Sequence, residues 1–135
     1  MTNGIYNLLD QLNNDIGKIL VVGDLKMYVD KITTKATILA VHQQSLLKGF
    51  IAYYDNDENK KNAFLTMLAV HMDCRNRGYG KALLEFSIAN LKRAGFETYS
   101  LQVREENIGA KQLYESMGFI VKGKSHANYS MALAL

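Results

Sequence analysis

Apolar positions along this chain change period several times, and each change marks a predicted element. Ile5 to Leu12 predicts a short amphipathic helix. Leu25, Val29 and Ile32 share one face, which predicts a second helix over Leu25 to Ala36. Thr37 to His42 and Lys48 to Tyr54 predict two strands joined by a turn at Gln43-Gln44-Ser45. Asp55 to Asn62 is a polar loop, and the apolar run Ala63 to Val70 predicts a central strand. A long helix follows over Gly80 to Arg93, with Leu84, Ile88 and Leu91 inward. In Thr98 to Val103, Leu101 and Val103 alternate with Gln102 as on a half-buried strand. Ala110, Leu113, Tyr114 and Met117 then recur on one helical face within Ile108 to Met117. Asn107 suits the N-cap of that helix and Gly118 its stop. Phe119 to Lys124 and Asn128 to Leu135 predict a closing hairpin, with Tyr129, Met131, Leu133 and Leu135 on one side. Gly17 to Gly23 reads equally as strand or loop. The order β-β-β-α-β-α-β-β predicts an α/β fold, a mixed sheet with helices on both faces.

Composition narrows the class. A chain of 135 residues is expected to be one domain, residues 1–135, with room for a real core. A hydrophobic share of 48% and a charged share of 21% are those of an ordinary globular protein. The net charge of +3 is small and scattered, which argues against a nucleic-acid partner and mildly favours an anionic ligand. Met1 to Leu12 carries no signal-peptide pattern, and no run reaches the length of a membrane span, so a cytoplasmic protein away from membranes is expected. Cys74 is the only cysteine, which excludes an internal disulfide and suits a reducing compartment. The adjacent Arg75 would lower the pKa of that thiol, although an incidental role is the expectation. Asp55-x-Asp57-x-Asn59 starts like a calcium loop, but Lys60 stands where Gly is needed and Thr66 where Glu is needed. A solvated turn is expected there, and no metal.

The candidate chemistry lies in residues 70 to 81, Val-His-Met-Asp-Cys-Arg-Asn-Arg-Gly-Tyr-Gly-Lys. A strand that passes through glycines into a helix start makes an anion-binding cup. The first helical N–H groups are free, and the helix dipole adds partial positive charge. Gly78 and Gly80 remove side chains that would hold a phosphate off the backbone, while Arg75, Arg77 and Lys81 add charge. A Walker A loop is excluded, because Arg75 stands at its first Gly and Ala82 at its Ser/Thr. The dinucleotide fingerprint is excluded too, because Leu83 occupies its third Gly.

What remains, Arg-x-x-Gly-x-Gly, resembles the acetyl-coenzyme A pyrophosphate loop of the GNAT superfamily of N-acetyltransferases. Leu68-Ala69-Val70 before it and Lys81-Ala82-Leu83-Leu84 after it resemble that family's fourth strand and third helix. A second segment, Leu101-Gln102-Val103-Arg104-Glu105-Glu106-Asn107 with Ala110, Leu113-Tyr114-Glu115 and Gly118-Phe119, is similar to the family's later strand and helix. The resemblance implies a GNAT-like fold and transfer of an acetyl group from acetyl-CoA to a primary amine of a small molecule or a peptide N-terminus. It implies cofactor contacts at Leu68, Val70, Arg75, Asn76, Arg77, Gly78, Tyr79, Gly80, Lys81 and Asn107. The amides of Leu68 and Val70 would hold the pantetheine arm like an added strand, and one would polarise the thioester carbonyl. Asn107 would hold the arm, and Tyr114 would stand at the general-acid position.

The resemblance covers residues 38 to 120 well and the first third poorly, where the family opens with a strand. The acceptor site of such enzymes is built from that region and the final hairpin, so the acceptor is not legible, and a homodimer stays open. Relatives place Glu where this chain has Thr66, and the ribosomal-protein N-terminal acetyltransferases, which the second segment also resembles, place Glu at Gln102 and carry a longer final hairpin. Neither Thr66 nor Gln102 can take a proton at neutral pH. His71, His126, a water relay or an amine already partly neutral remain as alternatives. Two other classes also stay open: a catalytically silent acyl-CoA-binding sensor or scaffold, and an unrelated phosphate-binding module.

Overall fold

The computed structural model describes residues 2–15 and 23–135, so the expected strand or loop over residues 17–22 lies outside the described residues. Helices α1 (Thr2–Asp15) and α2 (Leu25–Lys35) come first. Strands β1 (Thr37–Gln43), β2 (Leu46–Tyr54) and β3 (Asn62–Val70) follow as a meander. A one-turn 3₁₀ helix (Met72–Cys74) leads to α3 (Tyr79–Ala94). Then come β4 (Thr98–Arg104), α4 (Ile108–Ser116), β5 (Ile120–Ser125) and β6 (Asn128–Ala134). The strands form one sheet in the order β1-β2-β3-β4-β6-β5. Among the described residues only β3 and β4 pair in parallel; the other neighbours run antiparallel.

Each face of the sheet buries its own core, as a mixed sheet between helices requires. Ile5, Leu8, Leu9 and Leu12 of α1 join Val29 and Ile32 of α2 over Phe50, Ala52, Met67 and Ala69. On the other face Leu84, Ile88 and Leu91 of α3 and Tyr114 of α4 pack on Ile51, Tyr53, Tyr99, Leu101 and Met131. Helix α1 extends further than the expected Ile5 to Leu12. Strand β2 starts earlier than expected, because the hairpin turn is only Gln44-Ser45, with φ of 53° and 67°.

Strand β3 departs from regular alternation. Ala52 pairs with Met67 and Tyr53 with Leu65, so Thr66 has no partner on β2. This is a β-bulge, and it turns the strand over. Ala63 and Leu65 enter the α3-side core, whereas Met67 and Ala69 enter the core beneath α1 and α2. A regular strand would send all four to one side. The same point ends the parallel pairing: β3 and β4 are registered from Asn62–Thr98 to Leu65–Leu101 and no further. Beyond it β3 stays with β2 up to Val70, and β4 stays with β6 up to Arg104. The two strands therefore fork, and Thr66 and Gln102 are the first residues past the junction.

Helix α4 ends by a Schellman motif. Gly118 takes φ of 101°, which favours glycine. The N–H of Gly118 donates to the Glu115 carbonyl and that of Phe119 to the Tyr114 carbonyl, both at 3.0 Å. The Tyr114 and Phe119 rings then meet edge to face, with centroids 5.8 Å apart. The Gly-Phe pair therefore fixes the tyrosine above the fork. Helix α3 ends in the same way at Gly95-Phe96.

Candidate active site

The expected cup forms at the start of α3. Gly78 caps the helix with φ of 82° and no side-chain bond. Ala82 donates back to the Gly78 carbonyl at 2.9 Å, while helix geometry leaves the N–H groups of Tyr79, Gly80 and Lys81 without intrahelical acceptors. Asn76 also takes a positive φ, 61°, in the turn before the helix. A Cβ on Gly80 would meet only Leu113 and Val70, at an ordinary 3.8 Å. The protein itself therefore does not demand glycine there. A cavity of about 430 Å³ opens over this loop, lined by Leu68, Val70, Arg75, Asn76, Gly78, Tyr79, Gly80, Lys81 and Asn107, among others. Arg77, expected in the same set, is exposed and does not line the cavity. Arg75 reaches back, its Nε donating to the Val70 carbonyl at 3.4 Å.

The fork holds a second, adjoining cleft of about 190 Å³, which shares Leu68, Asn107 and Ala110 with the first. Thr66, Gln102, Arg104, Glu106 and Tyr114 also line it. The His71 N–H bonds across to the Lys48 carbonyl on β2 at 2.6 Å. Strand alternation then turns the backbone groups of Val70 and Leu68 the other way, toward the fork. Asn107 caps α4, its Oδ1 accepting from the Ala110 N–H at 3.3 Å, which leaves the Nδ2 group to donate into the cleft. Tyr114 is 7% exposed. Burial pushes its phenol up to about 12, so it carries its proton at every ordinary pH. The arrangement can take an anion at the α3 start, an extended chain along the open edge of β3, and a proton donor at the fork.

The other expected participants lie elsewhere. His71 caps the 3₁₀ turn, its Nδ1 accepting from the Asp73 N–H at 3.2 Å, and does not line the fork. His126 is exposed at the β5–β6 turn with φ of 54°. The expected lowering of the Cys74 pKa is reversed. Its thiol donates to Asp73 Oδ1 at 3.1 Å and is buried, and both the carboxylate and the burial raise it. In return that thiol, with Lys48, holds Asp73 down to about 2. Asp57 makes the expected turn, accepting from the N–H groups of Asn59 and Asn62 at 3.1 Å each.

Two features escaped the sequence reading. Glu106 brings a carboxylate to the fork, 3.6 Å from Arg104; its place directly before the capping Asn107 was the available signal. Tyr28 of α2 bonds to Thr66, its hydroxyl 2.8 Å from Thr66 Oγ1 and 3.2 Å from the Thr66 carbonyl. No local pattern joins residues that far apart in the chain.

Comparison with known proteins bears on the family and the fold. Residues 16–119 match the family described as the acetyltransferase (GNAT) family. The [ribosomal protein bS18]-alanine N-acetyltransferase of Escherichia coli K12 is 46% identical over 57 residues, which is 42% of this chain and 38% of that relative. N-alpha-acetyltransferase 30 of Saccharomyces cerevisiae is 39% identical over 57 residues, 42% of this chain and 32% of that relative. The chain thus spans well under half the length of these curated relatives. Among solved structures, the Escherichia coli ribosomal-protein-S18-alanine N-acetyltransferase superposes with a TM-score of 0.80 at 23% identity, covering 98% of this chain and 86% of that one. The PaiA N-acetyltransferase of Thermoplasma acidophilum, in complex with coenzyme A, gives 0.79 at 16% identity, covering 99% and 92%. At such identities these two likenesses concern the fold.

Proposed function

We propose, because the chain belongs to the GNAT acetyltransferase family, that it moves an acetyl group from acetyl-CoA to a primary amine of a small molecule or a peptide N-terminus. One observation carries the reading: the anion-accepting start of α3 and the fork with its buried phenol are adjoining cavities that share Leu68, Asn107 and Ala110. A ligand held by phosphates at the first can reach the second with a flexible arm.

Acetyl-CoA is the acyl donor in this reading, and the residues present suit it. The N–H groups of Tyr79, Gly80 and Lys81 take the pyrophosphate, with Arg75 and Lys81 adding charge and Asn76 and Gly78 shaping the loop. The amides of Leu68 and Val70 pair with the pantetheine arm as a strand would, and one of them polarises the thioester carbonyl. Asn107 donates its Nδ2 hydrogens to the arm. Tyr114 gives its phenolic proton to the departing sulfur. Its raised pKa keeps that proton in place at neutral pH. A thiolate whose conjugate acid has a pKa of about 8.5 is the weaker base, so the transfer depends on the sulfur being positioned against the phenol.

By their names the curated relatives above acetylate an alanine of ribosomal protein bS18 and an α-nitrogen, which supports a peptide N-terminus among the acceptors. Among the described residues no helix is long and apolar enough to cross a membrane. The test is thiol release from acetyl-CoA across aminoglycosides, polyamines, amino sugars, amino acids and peptides with free N-termini. Release with at least one amine is expected. Tight coenzyme A binding with no release from any amine would replace this reading by an acyl-CoA sensor. Preference for a nucleotide over coenzyme A would replace it by a different phosphate-binding module.

A further inference from the structure

We infer that the Thr66 hydroxyl, set by Tyr28, is the group that receives and orients the acceptor amine. The inference rests on the acetyltransferase reading and adds to it the acceptor side of the fork.

The bulge places Thr66 where β3 leaves β4, and Thr66 lines the fork. The two strands at the fork separate two layers of the molecule. Tyr114 belongs to the core on the α3 side, whereas Tyr28 packs against the core beneath α1 and α2. Tyr114 and Thr66 line the same cleft, and Thr66 is tied to Tyr28 in the opposite layer. A donor held along Leu68 and Val70 leaves Thr66, at the bulge, for the second substrate.

The hydrogen bonds to Tyr28 allow an arrangement in which Thr66 acts as an acceptor. A phenol carries one proton, and Tyr28 directs it to the Thr66 carbonyl at 3.2 Å. In the 2.8 Å contact between the two hydroxyl oxygens either can donate, and with the Tyr28 proton on the carbonyl it is the Thr66 proton that makes it. Tyr28 is itself poorly able to ionise, since burial raises its pKa ahead of the lowering effect of Thr66. With its own proton committed, Thr66 Oγ1 offers only lone pairs to the fork. An amine N–H donated to that oxygen holds the nitrogen in place and leaves the nitrogen lone pair free to face the acyl carbon. Thr66 touches the substrate; Tyr28 is a positioning residue that acts through it.

The experiment compares Thr66→Val, Thr66→Ser and Tyr28→Phe with the wild type. The acceptors are a short peptide with a free N-terminal alanine and the polyamine spermidine, and the better of the two is carried into the full kinetics. Loss of one substrate hydrogen bond is worth roughly three- to tenfold. Thr66→Val, which keeps the branched shape that suits the strand, is expected to raise the amine KM by about that factor. The acetyl-CoA KM should stay within about twofold, since nothing on that side of the fork is changed. Thr66→Ser should restore the amine KM. Tyr28→Phe should raise it less than Thr66→Val, because the hydroxyl survives but turns freely. An unchanged amine KM in Thr66→Val, in an enzyme that turns over, overturns this inference alone. An equal rise in both KM values also overturns it, by making Thr66 a merely structural residue. No turnover by the wild type with either acceptor or with the wider amine panel overturns the acetyltransferase reading, and this inference with it.

Discussion

Replacing Tyr114 by Phe separates two roles that one hydroxyl is expected to play. The phenol is buried and pushed up to about 12 from an ordinary value of 10.0. Burial favours the protonated form in the folded state, so folding is coupled to holding that proton. The contribution is fully present below pH 10 and is lost as pH rises through about 12. At about 1.4 kcal/mol per unit, the coupling amounts to at most about 2.7 kcal/mol, of which about 2 kcal/mol has gone by pH 11.5. Urea unfolding of both proteins at pH 9 and at pH 11.5 reads it directly. The wild type should lose about 2 kcal/mol more than Tyr114→Phe over that interval. Other tyrosines, Tyr99 among them with its pKa also raised by burial, contribute alike to both proteins and cancel. At neutral pH the two should differ little in stability, while kcat falls about 10²–10⁴-fold for loss of the proton donor. Equal alkaline losses would refute the burial argument. Unchanged kcat would move the acid to another group.

Gly80→Asp should fold, since the added Cβ meets only Leu113 and Val70 at 3.8 Å. It should abolish the rise in Tm that coenzyme A gives to the wild type, and a folded variant with a normal rise would place the phosphates elsewhere. The lower limb of kcat/KM against pH should move with the pKa of the amine, because neither Thr66 nor Gln102 can act as a base. A limb that stays fixed for two amines and vanishes in Glu106→Gln would make Glu106 the base. Gly118→Ala should cost about 1–3 kcal/mol, since φ is 101° and its Cβ would sit 3.1 Å from Leu133 Cδ1. Gly123→Ala, with nothing within 4 Å, serves as the control in the same denaturation series.

Much of the fold was legible because its signals are local. Leu84, Ile88 and Leu91 do face the core, Asn107 caps α4, and Gly118 stops it. The α3 cup was legible for the same reason, since glycine spacing and free helical amides belong to a dozen adjacent residues. The bulge was not. Ala63, Leu65, Met67 and Ala69 alternate as one buried stripe, and only the β2 register shows that Thr66 divides them between two cores. The fork is a relation between two strands and has no signature within either. Cys74 was misread because Arg75 is its neighbour in sequence, whereas the Asp73 carboxylate is its neighbour in space.

The fork is a seam left unsewn, and that sets a limit on how far this protein can be made more stable. Deleting the extra residue at Thr66 would let β3 run on in register with β4, adding rungs to the short parallel ladder. Each added rung is a backbone hydrogen bond gained and a piece of the slot lost. Selection for heat resistance alone would therefore tend to zip the two strands together, giving a hardier molecule whose fork is closed.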